Sequence, residues 1–493
     1  MPGIENLPQT IVTAPGALRL ARGLRLACGV TETAIVLIVA GSALAFGSVH
    51  PFAYRALWVA CGLVGLLWTT RGLVARALRA YTGPRVFAFA PNGRSLHTEP
   101  GRDAEGWSFD LSRPLLPRAP LLWPGLAFAL WVTLQLVPWR GQTLSTSATL
   151  RGLAFVVSFG LLHLAAATTL ADAGARRRLR RFLAWFGFAL SLFALVQLSL
   201  GWHAIYGLFV PREGGNPMGP FVNRNHFAGY LLLLLPTALA LLARALWAYR
   251  SRTSAAHPAR RRLIALGGPE GIDLVYAALP VLAMVAALLA SISRGAILAL
   301  VLSLAVVLLA GRRSSRIAMA GMVAAFVAMG LTWFGLERLG DRFAALPDNA
   351  PGRAQVWRAS IERMDGRWLT GSGFNTFEVH LSRVPAWRLP ANATPWPDGV
   401  RAAFESGARV GHRYEGSDWY REAHNDYVQV LVETGLPGLA IALWAAWSVL
   451  RRTASHRWVF GALLAMLLHA LVEFDFQIPA LPALFVVLAG WRR

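Results

Sequence analysis

The chain has 493 residues, of which 55% are hydrophobic and only 15% charged, with a mean hydropathy of +0.47. Soluble proteins carry about a quarter charged residues, so a soluble enzyme is excluded. All 48 basic residues counted as lysine or arginine are arginine, and against 25 acidic residues they leave a net charge of +23. They fall in short bursts between apolar runs rather than on one basic face with interleaved aromatics, which excludes a nucleic-acid binder and points to a polytopic membrane protein.

A membrane-crossing helix needs about 20 apolar residues. Twelve candidate runs are centred near Val36, Val64, Phe128, Ser158, Leu192, Leu234, Met284, Leu302, Val323, Ala440, Met466 and Phe485. The expected fold is therefore an all-α polytopic membrane protein of about 12 transmembrane helices. Arg19, Arg22 and Arg25 precede the first run, which reads as a retained signal-anchor and contains Glu32, a residue that either pairs with an arginine or stays protonated. The arginine bursts then follow every second run: Arg71, Arg76 and Arg79; Arg176 to Arg178 with Arg180 and Arg181; Arg260 to Arg262; Arg312, Arg313 and Arg316; Arg451, Arg452 and Arg457; and finally Arg492 and Arg493. Arginine-rich short loops stay in the cytoplasm, so both termini are predicted cytoplasmic. Four segments are expected: helices 1–5 in residues 1–210, helices 6–9 in 211–334, a long extracytoplasmic loop between helices 9 and 10 in 335–424, and helices 10–12 in 425–493.

Residues 71–118 form a cytoplasmic segment rich in proline, glycine and arginine, with little periodicity and no catalytic role assigned. Cys28 and Cys61 lie in or beside apolar runs and suggest neither a disulfide framework nor a metal cluster. Ahead of the sixth span lies Pro211-Arg-Glu-Gly-Gly-Asn-Pro-Met-Gly-Pro-Phe-Val-Asn-Arg-Asn-His. Arg212 there is either a solvated loop charge paired to Glu213 or, with the exposed amides of its turn, an anion-binding group. Asn223, Arg224, Asn225 and His226 stand at the start of the next helix, where they orient substrate or simply cap it. Arg294, in Ser291-Ile-Ser-Arg-Gly, has no charged neighbour from Tyr276 to Gly311. It is a snorkelling side chain or a phosphate clamp, since a guanidinium offers a fixed fork of donors.

The segment 335–424 carries Trp357, Trp368, Trp387, Trp396 and Trp419, and a loop of this length is usually functional. Within it Val356, Ser360 and Met364 share one helical face, which predicts an amphipathic helix lying on the membrane. His424 precedes the tenth span and suits proton abstraction from a hydroxyl; Asp426 orients it or caps the helix. Glu433, inside that span, pairs with an arginine or is protonated and structural. Glu473-Phe-Asp475 is a weak approach to a metal motif, so no metal is assigned. A lysine-free chain has no Gly-x-x-x-x-Gly-Lys phosphate loop, which removes ATP-driven transport. The open alternatives are an enzyme acting on an anionic lipid and a transporter or flippase of that lipid.

The sequence resembles the bacterial O-antigen ligase and polymerase family. The likeness rests on Gly219-Pro-Phe-Val-Asn-Arg-Asn-His-Phe-Ala-Gly, on Ser291-Ile-Ser-Arg-Gly, on Arg353 to Trp357 with Gly371-Ser-Gly-Phe-Asn-Thr-Phe, and on Ala423-His-Asn-Asp-Tyr through Gly438. His469-Ala-Leu-Val-Glu-Phe-Asp-Phe-Gln-Ile-Pro-Ala is similar to a stretch of the polysaccharide-operon members. The resemblance implies a GT-C-type glycosyltransferase of the bacterial inner membrane, working without a cofactor on the periplasmic side. Its donor would be an undecaprenyl-diphosphate-linked glycan and its acceptor another glycan, lipid A core or a protein hydroxyl. A chain-length regulator or a flippase would be its protein partners. Arg212 and Arg294 would bind the diphosphate and His424 would act as base, with Asn223, Arg224, Asn225, His226, Arg353, Asp426 and Glu433 as secondary candidates.

Overall fold

The computed structural model describes residues 15–83, 86–89, 96–98, 108–111, 119–138, 143–210, 216–252, 265–309, 346–381 and 421–491. In chain order its helices are α1 (Pro15–Leu44), α2 (Pro51–Thr82), α3 (Leu122–Gln135), α4 (Thr146–Thr169), α5 (Ala173–Ser199), α6 (Arg224–Arg252), α7 (Pro269–Ala290), α8 (Arg294–Leu309), α9 (Leu346–Glu362), α10 (Phe377–Leu381), α11 (Asp426–Thr453), α12 (Arg457–His469) and α13 (Ala480–Ala489). Seven of these, α1, α2, α4, α5, α6, α7 and α11, are long and apolar enough to cross a bilayer. The protein is thus a multi-pass membrane protein.

The other four apolar helices, α3, α8, α12 and α13, are shorter than the expected span. Eleven of the twelve apolar runs therefore coincide with helices, and the run near Val323 lies outside the described residues. The short helices have a physical reason. All ten residues of α13 are buried, and the helix packs against α4, α1 and α6. At 1.5 Å per residue it is about 15 Å long, and a helix ending inside protein does not have to match the hydrocarbon thickness.

Two sequence readings are corrected. The segment 71–118, expected to have little periodicity, holds regular structure: α2 continues to Thr82, and three short strands, β1 (Val86–Phe89), β2 (Leu96–Thr98) and β3 (Ser108–Asp110), make an antiparallel sheet in the order β2-β1-β3. Strands this short carry too few residues for a visible alternation of apolar side chains. The helix around Val356 and Ser360 exists as α9, with Met364 in the turn that follows it, but this apolar face does not meet the membrane. All three side chains are fully buried, and Val356 and Met364 pack with Phe377, Leu381, Ala423 and Val432. A stripe of apolar residues reports burial without saying whether lipid or protein supplies it.

The helix ends that the arginine pattern assigns opposite the basic segments do meet one another. Tyr206 donates its hydroxyl proton to the carbonyl of Leu44 at 2.6 Å, and Leu144 N–H reaches the carbonyl of Ser372 at 2.7 Å. Asp426 N–H bonds the carbonyl of Ala470 at 2.9 Å. Away from that end, Glu32 takes both prongs of the Arg178 guanidinium at 2.7 Å each, so of its two readings the arginine pair is the one realised.

Candidate active site at one end of the bundle

His424 is the last residue but one before α11. Asn425 caps that helix, its side-chain oxygen accepting from the amides of Tyr427 at 3.0 Å and Val428 at 3.1 Å. His424 is thereby left outside the helix with φ of +51°, a left-handed conformation unusual for a side chain of this size. Its neighbour is tied down on both sides. Trp357 of α9 donates its indole proton to the carbonyl of Ala423 at 2.5 Å, and Ala423 N–H donates to Gln429 at 3.0 Å. Strained backbone of this kind persists where its surroundings over-determine it, and it concentrates at functional sites.

α11 is broken at Gly435, where φ is +68°, and Pro437 follows two residues later. Proline has no N–H, so the carbonyl of Glu433 loses its helical partner. That carbonyl is recovered by Gly373 N–H and by the side-chain amide of Gln135, both at 2.9 Å. The carbonyl of Thr434 takes the indole proton of Trp131 at 2.8 Å, and that of Val432 takes Ser372 N–H at 2.9 Å. The Gly371-Ser-Gly-Phe-Asn-Thr-Phe segment is thus bound into the break. Glu433 fixes its far side, its two oxygens accepting from Asn375 N–H at 2.8 Å and Phe377 N–H at 2.9 Å. Among the described residues no arginine pairs with Glu433; backbone amides reach both of its side-chain oxygens.

Between α12 and α13 the chain turns through Glu473, and this carboxylate is the hub of the site. One oxygen accepts from Asn225 at 2.8 Å and from Arg353 at 3.2 Å; the other faces Nδ1 of His424 at 3.2 Å. Arg353 also donates to the carbonyl of Val472 at 2.8 Å. Burial alone would raise the Glu473 carboxyl, since it is only 3% exposed, but the hydrogen bond and charge of His424 and the charge of Arg353 hold it down at about 2. Phe474 stands between two imidazoles, with ring centroids 4.5 Å from His226 and 4.6 Å from His424, both edge-on. A second acid–imidazole pair lies deeper: Nδ1 of His469 meets Asp475 at 2.6 Å, both side chains fully buried. Two residues before His424, Glu422 is half-buried and accepts a hydrogen bond from Gln429, and the loss of solvent around it lifts its carboxyl to about 8.

Arg294 is the first residue of α8 and is half-buried. Its turn comes to the same place, because a Cβ added to Gly295 would lie 2.8 Å from Val472 and 3.2 Å from the His469 ring. Arg212 lies outside the described residues, as do Trp387, Trp396 and Trp419. Asn223 accepts from Asn225 N–H at 2.8 Å, opening α6, and Arg224 N–H reaches the carbonyl of Asn216 at 2.9 Å. His226 is buried. Asp426 does not cap α11, which Asn425 does; its carboxylate instead receives Phe476 N–H at 3.0 Å and Gln477 at 3.4 Å. The site thus joins α6, α8, α9, the start of α11 and the turn after α12.

Sequence reasoning underrated Glu473 and missed Gln135 and the His469–Asp475 pair. The available signal was three ionisable side chains within seven residues of an otherwise apolar stretch, which at a membrane marks function more often than structure.

A multi-pass helical bundle that gathers imidazole, carboxylate and guanidinium groups at one end has the form of an integral-membrane enzyme. A family model described as O-antigen ligase matches residues 279–443, which hold Arg294, Arg353 and His424, so this part of the chain is similar to the O-antigen ligases. No curated protein matches the chain.

Proposed function

We propose that this protein is a GT-C-type glycosyltransferase of the bacterial inner membrane that moves an oligosaccharide or polysaccharide from undecaprenyl diphosphate to a hydroxyl acceptor on the periplasmic side. The observation that carries the reading is the convergence of His424, Glu473, Asn225, Arg353 and the Ser293-Arg294-Gly295 turn at one end of the bundle. The arginine pattern assigns that end to the face opposite the basic loops.

The chemistry follows from those groups. His424 takes the proton of the acceptor hydroxyl, the acceptor oxygen forms the new bond to the anomeric carbon, and the carbon–oxygen bond to the diphosphate breaks with its electron pair leaving on phosphate. Attack opposite the leaving group inverts the anomeric centre. Arg294, with Arg212, neutralises the charge that grows on the diphosphate, a fork-shaped cation being suited to phosphate oxygens. The acceptor is a second carrier-linked chain for a polymerase and lipid A core for a ligase. The stretch from His469 to Ala480, similar to that of polysaccharide-operon members, favours the polymerase.

The test is to give purified protein undecaprenyl-diphosphate oligosaccharide alone, with chelator present, and resolve the products beside the His424→Ala variant. A ladder identifies a polymerase, and its persistence in chelator supports metal-independent transfer. If the donor is unchanged, lipid A core and then protein acceptors are added in turn; a donor unchanged with every acceptor rejects glycosyl transfer.

A further inference from the structure

His424 has two ring nitrogens, and only one of them is free to meet an acceptor hydroxyl: Nδ1 already faces a carboxylate oxygen of Glu473 at 3.2 Å. We infer that Glu473 is the positioning carboxylate of His424: it holds the ring in the tautomer with the proton on Nδ1, leaves Nε2 bare to receive the acceptor's proton, and steadies the imidazolium that results.

The geometry of Glu473 fits this role better than that of a simple ion pair. A neutral imidazole carries one N–H, so an acceptor fixed on one side dictates which nitrogen stays basic. Here the acceptor is fixed from three directions. Asn225 of α6 and Arg353 of α9 both bond one carboxylate oxygen, and Arg353 also grips the preceding carbonyl, that of Val472. The other oxygen is left for His424. The carboxylate is 96% shielded from solvent, while the His424 side chain keeps 24% exposure, so the pair has one sealed member and one open to a substrate. The ring itself has little freedom: its backbone is locked at φ of +51°, and Phe474 packs edge-on against it. An orienting acid, a base and an incoming hydroxyl in line form the arrangement by which enzymes activate weak nucleophiles.

The charged and titratable groups around His424 are Glu473 itself, Arg353 from α9, His226 from α6 and, deeper, His469 with Asp475. Of these Glu473 is the one hydrogen-bonded to the ring among the described residues.

This inference rests on the reading of His424 as base, and the test separates the two. Glu473→Gln is nearly isosteric: its oxygen can still accept from Asn225 and Arg353, but its amide nitrogen then donates toward Nδ1, forcing the proton onto Nε2 and removing the base without removing the fold. Glu473→Asp keeps the charge and shortens the reach. Transfer is assayed in the full-length protein with undecaprenyl-diphosphate oligosaccharide and the acceptor that supports the wild type. In parallel, the rate at which diethyl pyrocarbonate modifies His424 is followed by peptide mass spectrometry as a function of pH, a readout that needs no substrate.

The expected result is a fall in kcat of about 10²- to 10⁴-fold for Glu473→Gln, the contribution of general base catalysis, with KM for the donor roughly unchanged. The pH at which His424 becomes reactive should change in Glu473→Gln, which puts an amide where Nδ1 meets a carboxylate, and stay put in Glu473→Asp. A merely structural glutamate would lower yield and thermal stability without moving that pH. If His424→Ala is inactive while Glu473→Gln keeps wild-type kcat and an unmoved pH dependence, the positioning role is overturned and the base survives. An active His424→Ala overturns both.

Discussion

At the scale of single residues, the site is a set of groups whose partners decide their work. Arg294→Ala should cost about 10²- to 10³-fold in transfer, the worth of one preorganised donor at a developing anion, and His424→Ala a comparable or larger factor; both variants should insert and purify like the wild type, which size-exclusion chromatography checks. Glu473 gives a prediction about stability as well. Its folded value of about 2 lies below the ordinary carboxylate value of 4.5, so the unfolded chain takes up its proton first as pH falls. Its contribution is therefore complete above about 4.5 and lost as pH drops through about 2. Melting temperatures of wild type and Glu473→Gln in detergent should differ by a constant amount near neutrality and converge in that acid window. A difference that instead shrinks between pH 6 and 8 would show that another group dominates.

At the scale of elements, the break in α11 is what brings the long segment between the membrane helices down to the site. Pro437 frees a carbonyl, the Gly371–Phe377 loop and α3 supply the missing donors, and that loop in turn anchors α9, which carries Arg353 to Glu473. Gly435 is the residue that cannot change. At φ of +68° an L side chain is strained, and a Cβ there would lie 2.7 Å from the carbonyl oxygens of Trp368 and Leu369. Gly435→Ala should therefore destabilise the protein by about 1–3 kcal/mol and reduce transfer although it touches no substrate. Thermal unfolding in detergent measures the first effect, and unchanged stability would mean that the break is not held as tightly as its hydrogen bonds imply.

For the whole molecule, the testable statement is which ends share a side. Leu200, after α5, and Ser455, between α11 and α12, are both exposed and belong to opposite ends of the bundle. The native Cys28 and Cys61 are buried, which keeps background labelling low. A membrane-impermeant maleimide on intact cells with a permeabilised outer membrane should label Leu200→Cys and spare Ser455→Cys until the inner membrane is opened. Labelling of both from outside would refute the proposed orientation and, with it, the assignment of the site to the periplasmic face.

Eleven of the apolar runs were legible as helices, because hydrophobic run length is a local property of the sequence. His424 and Asn225 were legible as polar groups beside spans, and Arg353 only through the family resemblance of its segment. What the sequence could not say is who meets whom. Glu473 is 49 residues from His424 and 248 from Asn225, and no local pattern joins them. The same holds for Val356 and Met364, whose apolar face finds protein rather than lipid, and for Glu433, whose side-chain oxygens are met by backbone amides 56 and 58 residues away rather than by an arginine. Local apolar runs determined where the helices lie; only the packing of their ends, where a broken helix must find new hydrogen-bond partners, decided that these groups meet at one place.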